Sequence, residues 1–213
     1  SGVTVTGTTV TAITGNFTSI TGATGIFTSI SGNFLSDASG NTDVGTYALS
    51  GLTTGAFNTA LGYNAAGANT SGVNNVAIGY NSAGGNTIGT DNVAIGYNAA
   101  SGNTVGTGNI AIGSYTAVSN TGNNNVAIGI SSLRSNTTGT NNIAIGSNAG
   151  SGIVTGVNNT IIGNITGSGG LSNTVIIAAG STQKLYIDNA GVVSGDTFSG
   201  TTITGTTVNA ATG

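Results

Sequence analysis

Asn74-Asn75-Val76-Ala77-Ile78-Gly79-Tyr80 returns 17 residues later as Asp91-Asn92-Val93-Ala94-Ile95-Gly96-Tyr97. Further copies close on Gly62, Gly113, Gly129, Gly146 and Gly163, and a weaker one on Gly45; every step is 17 except the 16 between Gly113 and Gly129. That short step falls where Ser119-Asn120-Thr121-Gly122-Asn123 lacks one residue of its neighbours. A fixed period of this size marks a chain built from stacked coils, each too small to bury an apolar face alone.

Aligning the copies gives columns. Leu61, Ile78, Ile95, Ile112, Ile128, Ile145 and Ile162 stand before the glycine, and Val76, Val93, Ile110, Val126 and Ile143 two places earlier. Between them lie Ala60, Ala77, Ala94, Ala111, Ala127 and Ala144, and Asn58, Asn75, Asn92, Asn109, Asn125, Asn142 and Asn159 precede the set. Residues two apart on a strand share a face. The pattern therefore predicts an all-β fold, a parallel β-solenoid or β-roll of about nine coils, spaced about 4.8 Å apart in a rod on the order of 40 Å long. The aliphatic columns are expected to form its core, and the alanine column, small enough for close approach, to face neighbouring chains.

A second set, Asn69-Thr70, Asn86-Thr87, Asn103-Thr104, Asn120-Thr121 and Asn136-Thr137, mostly followed by glycine, marks a turn. Asn and Gly accept positive φ, and stacked Asn side chains can bond in ladders. Stacking also explains why charged residues are 3% of the chain. A charge in a column meets its own copy one coil away, a repulsion of about 1 kcal/mol even in water. Asn, Ser and Thr carry no such cost.

The flanks differ. Residues 1–36 lack the period and read as a thin fibre shaft of short Thr/Ile/Val strands, too slight to be stable unless several chains wrap together. Residues 37–180 form the roll, and 181–213 a capping hairpin, with Lys184-Leu185-Tyr186-Ile187-Asp188 as strand and Asn189-Ala190-Gly191 as turn, then a return to shaft. The return is read from Ser199–Gly213, which repeats Ser1–Gly15 with 11 identities in 15. With Ser at position 1 and no basic start, the chain is expected to be a window on a longer protein.

Composition narrows function. There is no His, Cys or Glu, and the only basic residues are Arg134 and Lys184. No serine has a plausible base beside it, so no catalytic residue and no cofactor are expected. Gly106-Thr107-Gly108, Gly150-Ser151-Gly152 and Gly167-Ser168-Gly169 lack the third glycine of a dinucleotide loop and read as turns. Two cations make no footprint for nucleic acid, and no apolar run is long enough for a membrane span. Asp37-Ala38-Ser39-Gly40-Asn41-Thr42-Asp43 alternates oxygen ligands, making Asp37 and Asp43 the metal candidates, but the loop is short and lacks a distal bidentate acid, as a polar turn would. Tyr63, Tyr80 and Tyr97 form a column that lapses to Ser114, Ile130 and Ser147, which fits packing better than a sugar-binding stripe.

The Asn74–Tyr80 phrase and its copies resemble the head repeats of trimeric autotransporter adhesins, which are left-handed parallel β-rolls with a somewhat shorter repeat. A fuller resemblance is to tail-fibre proteins of bacteriophages, cyanophages especially. It is carried by Thr54-Gly55-Ala56-Phe57-Asn58-Thr59-Ala60-Leu61-Gly62-Tyr63-Asn64, by Asn158–Ile177 through Lys184–Asp188, and by Thr14-Gly15-Asn16-Phe17-Thr18-Ser19-Ile20. That resemblance implies a homotrimeric, extracellular virion fibre, partnered by other fibre or baseplate proteins and reaching for host surface glycans. A bacterial trimeric surface adhesin and an ice-binding solenoid are the alternatives.

Overall fold

A computed structural model of the chain describes residues 37–194, and the shaft anticipated at 1–36 and the return to shaft read from Ser199–Gly213 lie outside the described residues. The described part is all β, without a helix. Nine strands run in parallel in chain order: β1 (Thr42–Val44), β2 (Thr59–Leu61), β3 (Val76–Ile78), β4 (Val93–Ile95), β5 (Ile110–Ile112), β6 (Val126–Ile128), β7 (Ile143–Ile145), β8 (Thr160–Ile162) and β9 (Val175–Ala179). The register repeats the sequence period without slip, so Ala77 faces Ala94, Ala94 faces Ala111, and Ala111 faces Ala127. Each coil contributes one short strand, and the rest of the coil is a succession of turns bonded to the next coil through its backbone.

Each strand ends at a corner glycine. Gly79 and Gly113 have φ of 126° and 134°, in the region that favours glycine. A Cβ there would stand 2.7 Å and 2.6 Å from the carbonyl oxygens of Gly96 and Gly129, the same glycines one coil on. The column is therefore glycine both for its φ and for the coil spacing. Beyond the corner, Asn64, Asn81 and Asn98 and then Ala66, Ala83 and Ala100 adopt positive φ near 50°. Asn tolerates that conformation, whereas each alanine costs about 1 kcal/mol and persists because the stacked coils fix it.

The face assignment is the reverse of the expected one. Ala60, Ala77, Ala94, Ala111, Ala127 and Ala144 are buried, none above 1% exposure. The Val76–Ile143 and Leu61–Ile162 columns lie half-buried to exposed on the outside, Leu61 at 47%. The physical reason is the bore. The strand alanines share the interior with a second layer of small buried residues from the far side, Ala65, Ala66, Ser82, Ala83, Ala99 and Ala100 among them. Space that close-packs around methyl groups has no room for a column of branched side chains. Where a large residue does enter, a small one gives way: Leu133 Cδ2 sits 2.9 Å from where a Gly150 Cβ would stand, at the position one coil on. Towards the end of the roll the alanine column becomes Ile161 and Ile176, both buried.

The 16-residue coil loses its residue where loss is least felt. Neighbouring coils carry an extra turn residue between Thr and Gly, such as Ile88 or Val105, exposed at 53% and 47%. Thr121 and Gly122 close without it, both N–H groups donating to the Thr137 carbonyl. The roll then ends as the sequence suggests. β10 (Thr182–Ile187) turns back antiparallel on β9, and β11 (Val193–Ser194) adds to β10 after a turn at Asp188–Val192. This hairpin covers the edge that a further coil would otherwise occupy.

Candidate functional site: an asparagine spine, a tyrosine stack and an aliphatic face

Three arrays of repeated side chains run along the coil axis. The first is internal. Eight buried asparagines, from Asn41 through Asn58, Asn75, Asn92, Asn109, Asn125 and Asn142 to Asn159, stand before the strands. At every step the side-chain oxygen accepts the backbone N–H one coil on, at 2.9–3.1 Å, and the series ends with Thr174 N–H donating to Asn159 Oδ1. The Nδ2 of each reaches across the coil to a turn carbonyl, as Asn58 does to Gly72 at 2.8 Å and Asn92 to Gly106 at 2.8 Å. One amide thus joins successive coils and closes its own. This satisfies buried backbone groups that 3-residue strands leave over.

The turn asparagines Asn69, Asn86, Asn103, Asn120 and Asn136 are also buried. They mainly brace their own turns: Asn69 Oδ1 accepts Gly72 N–H at 2.9 Å and Asn136 Oδ1 accepts Gly139 N–H at 2.9 Å. Their contacts with one another are long, 3.5 Å from Asn86 to Asn69. The ladder chemistry anticipated for the turn column therefore resides chiefly in the column before the strands. The adjoining threonines are engaged along the axis, with the hydroxyls of Thr70 and Thr87 donating to the Thr87 and Thr104 carbonyls at 3.0 and 2.8 Å.

Asp37 terminates the asparagine spine. Its Oδ1 accepts Ser39 N–H and Asn41 N–H, both at 2.8 Å, and its Oδ2 accepts Asn41 Nδ2 at 3.0 Å. These bonds, the Asn41 side-chain bond first, lower the Asp37 pKa from its ordinary carboxylate value. The carboxylate meets the N–H-bearing end of the amide series, the end that favours a negative charge. Asp43 lies on β1 in register with Ala60 but is exposed, because no coil precedes it among the described residues. The two metal candidates are thus a cap and an edge charge, and among the described residues no cluster of three His, Cys, Asp or Glu occurs.

The second array is aromatic. Tyr63, Tyr80 and Tyr97 stack with ring centroids 5.2 Å apart and planes within 9° and 13°. Tyr47 and Tyr115, from the neighbouring column, close the two ends edge-on at 5.4 Å and 5.2 Å. The Arg134 guanidinium then lies 5.5 Å from the Tyr115 ring centroid. A hydrogen bond with Tyr97, and the proximity of that phenol, raise the Tyr115 pKa. The ring faces of the central three are therefore spent on one another. This favours packing over a platform for sugar stacking. The sequence signal missed the end rings because they sit one place out of column.

The third array is the aliphatic face. From β2 to β8, two columns of Val, Ile and Leu run unbroken except for Thr59 and Thr160 at the ends. A dozen such side chains line it, half-buried in the middle coils and more open at Leu61, Ile143, Ile145 and Ile162. A contiguous apolar face of this kind marks an interaction surface. Comparison with known protein families, with curated proteins and with solved structures finds no match.

Proposed function

We propose that this chain is a non-catalytic structural segment of a homotrimeric phage tail fibre, extending from the virion toward the host cell and helping to hold it there. The observation that carries the reading is the in-register aliphatic stripe, half-buried to exposed from β2 to β8 on a nearly uncharged roll. Such a face is a cost in water and an asset between copies, because a second roll of the same period meets it coil for coil. The alanine column, once the expected contact, is consumed inside. The number three comes from the resemblance to trimeric fibres. Stacked coils with few cleavable cations suit a rigid extracellular rod, and three-fold repetition multiplies weak contacts with surface glycans. A bacterial trimeric surface adhesin would use the same interface and is the runner-up. For an ice-binding face, the threonine hydroxyls are already committed along the axis.

The test is the mass of the full chain by light scattering, beside an Ile95→Asp, Ile112→Asp variant. A trimer that survives heating, reduced to a folded monomer by the two outward charges, is expected. A wild-type monomer would remove the proposal, and an unaffected trimer would move the interface elsewhere.

A further inference from the structure

The tyrosine array has a chemical property that packing alone does not explain. Side chains that ordinarily compete for oxidants are missing: the chain has no Cys, Met, Trp or His. The 6 tyrosines are therefore the most easily oxidised groups it carries. Tyr186 packs against the core in the capping hairpin. The other five form one continuous cluster, with neighbouring centroids 5.2–5.4 Å apart. The central three are accessible, at 46%, 49% and 46% exposure for Tyr63, Tyr80 and Tyr97. Five of the six phenols that could take up oxidising equivalents lie in this cluster, and a radical formed there has a phenol beside it.

We propose that Tyr63, Tyr80 and Tyr97 are a site of oxidative cross-linking, in which dityrosine bonds join successive coils of one chain. Each of two adjacent phenols loses its hydroxyl hydrogen, as a proton and an electron, to a one-electron oxidant such as a haem peroxidase using hydrogen peroxide. The two phenoxyl radicals couple through ring carbons ortho to oxygen, forming one C–C bond, and the displaced ring hydrogens return to the oxygens. The product is two phenols joined, less two hydrogen atoms. One hydrogen peroxide accepts the two electrons and two protons and becomes two waters.

The in-register stack favours this product. Consecutive β2, β3 and β4 strands hold the three residues at equivalent positions, so coupling requires only side-chain rotation at half-exposed positions. The bond ties coil to coil just outside the sheet, adding a covalent link beside the backbone hydrogen bonds that Asn81 N–H donates to the Tyr63 carbonyl and Asn98 N–H to the Tyr80 carbonyl. It requires a single folded chain and does not depend on the number of copies assembled.

The experiment treats the full chain with peroxidase and hydrogen peroxide, follows dityrosine fluorescence, and maps the linked peptides by mass spectrometry after thermolysin digestion. Expected is a cross-link between Tyr63 and Tyr80 or between Tyr80 and Tyr97 within a chain of unchanged denatured mass. Tyr80→Phe keeps the ring stack, removes the phenol shared by both pairs, and should abolish these two products. Tyr186→Phe should leave their yield unchanged. Links found only between chains, links dominated by Tyr186, or an unchanged map in the Tyr80→Phe variant would each overturn the proposal, as would no dityrosine at all.

Discussion

Replacing Asn92 in the middle of the spine separates its two bonding roles. Asn92 Oδ1 is the acceptor for Asn109 N–H at 3.0 Å, and its Nδ2 donates to the Gly106 carbonyl at 2.8 Å and to Asn75 Oδ1 at 3.2 Å. In Asn92→Ala, Asn75 Oδ1 still receives the Asn92 backbone N–H, and the Gly106 carbonyl still receives Asn103 Nδ2. Asn109 N–H loses its acceptor in the bore, a loss of about 1–3 kcal/mol. The void left by the amide adds about 1–2 kcal/mol. The expected total is about 2–5 kcal/mol, against less than about 0.5 kcal/mol for Ile88→Thr at the exposed turn. Asn92→Asp retains the acceptor for Asn109 but points a carboxylate at two other acceptors. Burial and that opposition raise its folded pKa, so the penalty is full at pH 7 and is relieved as pH falls through the raised value. Urea unfolding followed by far-UV dichroism at about pH 7 and about pH 4, with hydrogen exchange at Asn109, reads both effects. An Asn92→Ala cost below about 1 kcal/mol, or an Asn92→Asp variant no more stable in acid, would refute the claim that the amide spine holds the coils.

Four further outcomes follow from the geometry. Gly113→Ala, at φ 134° with its Cβ 2.6 Å from the Gly129 carbonyl, should destabilise by about 2 kcal/mol or more in thermal or urea melts. Inserting Thr between Thr121 and Gly122, which restores the full repeat at an exposed turn, should change stability by less than about 0.5 kcal/mol. Ala111→Ile, in the bore, should cost about 1–3 kcal/mol or prevent folding, whereas Ile112→Ala, one residue away on the outer face, should leave the fold of an isolated chain intact by dichroism. Because the Asp37 pKa is depressed in the folded state, its contribution is present above the unfolded value and is lost as pH falls through the folded one. Exchange protection at Asn41 should therefore fall in acid before protection at Asn92, and Asp37→Ala should show the same fraying at neutral pH.

The period, the parallel stacking, the place of the short coil and the closing hairpin were all legible in the sequence. Each follows from spacing, and spacing is what repeat geometry fixes. The inward face was not legible from alternation, which says that Val76 and Ile78 share a side opposite Ala77 without saying which side is inside. Hydrophobicity pointed the wrong way because the bore of so short a coil is set by volume. A better signal was uniformity within the chain. The Asn58–Asn159 and Ala60–Ala144 columns are single residue types, while the aliphatic columns mix Val, Ile, Leu and Thr. An environment that accepts one shape is closed on all sides, and one that accepts four is open on at least one. The Asn column also shares parity with the Ala column, two residues away, so its burial and that of the alanines were one inference. Asp37's capping role was out of reach of the repeat, because it belongs to no column.

The same argument explains how a protein of this kind can have a core without a conventional hydrophobic interior. Burying alanine gains little per residue, and burying asparagine costs free energy unless its amide is satisfied. Here every amide of the spine is satisfied, its oxygen by a backbone N–H that would itself be orphaned without it and its nitrogen by a turn carbonyl, so the two liabilities offset one another. The aliphatic side chains are thereby left for the outside, where a single roll cannot cover them. Internal order in this fold is thus supplied by polar stacking, and burial of the aliphatic face is left to the proposed assembly. That division predicts distinct failures: a spine substitution should melt the roll whatever its oligomeric state, and an outer-face charge should separate the copies while each roll stays folded.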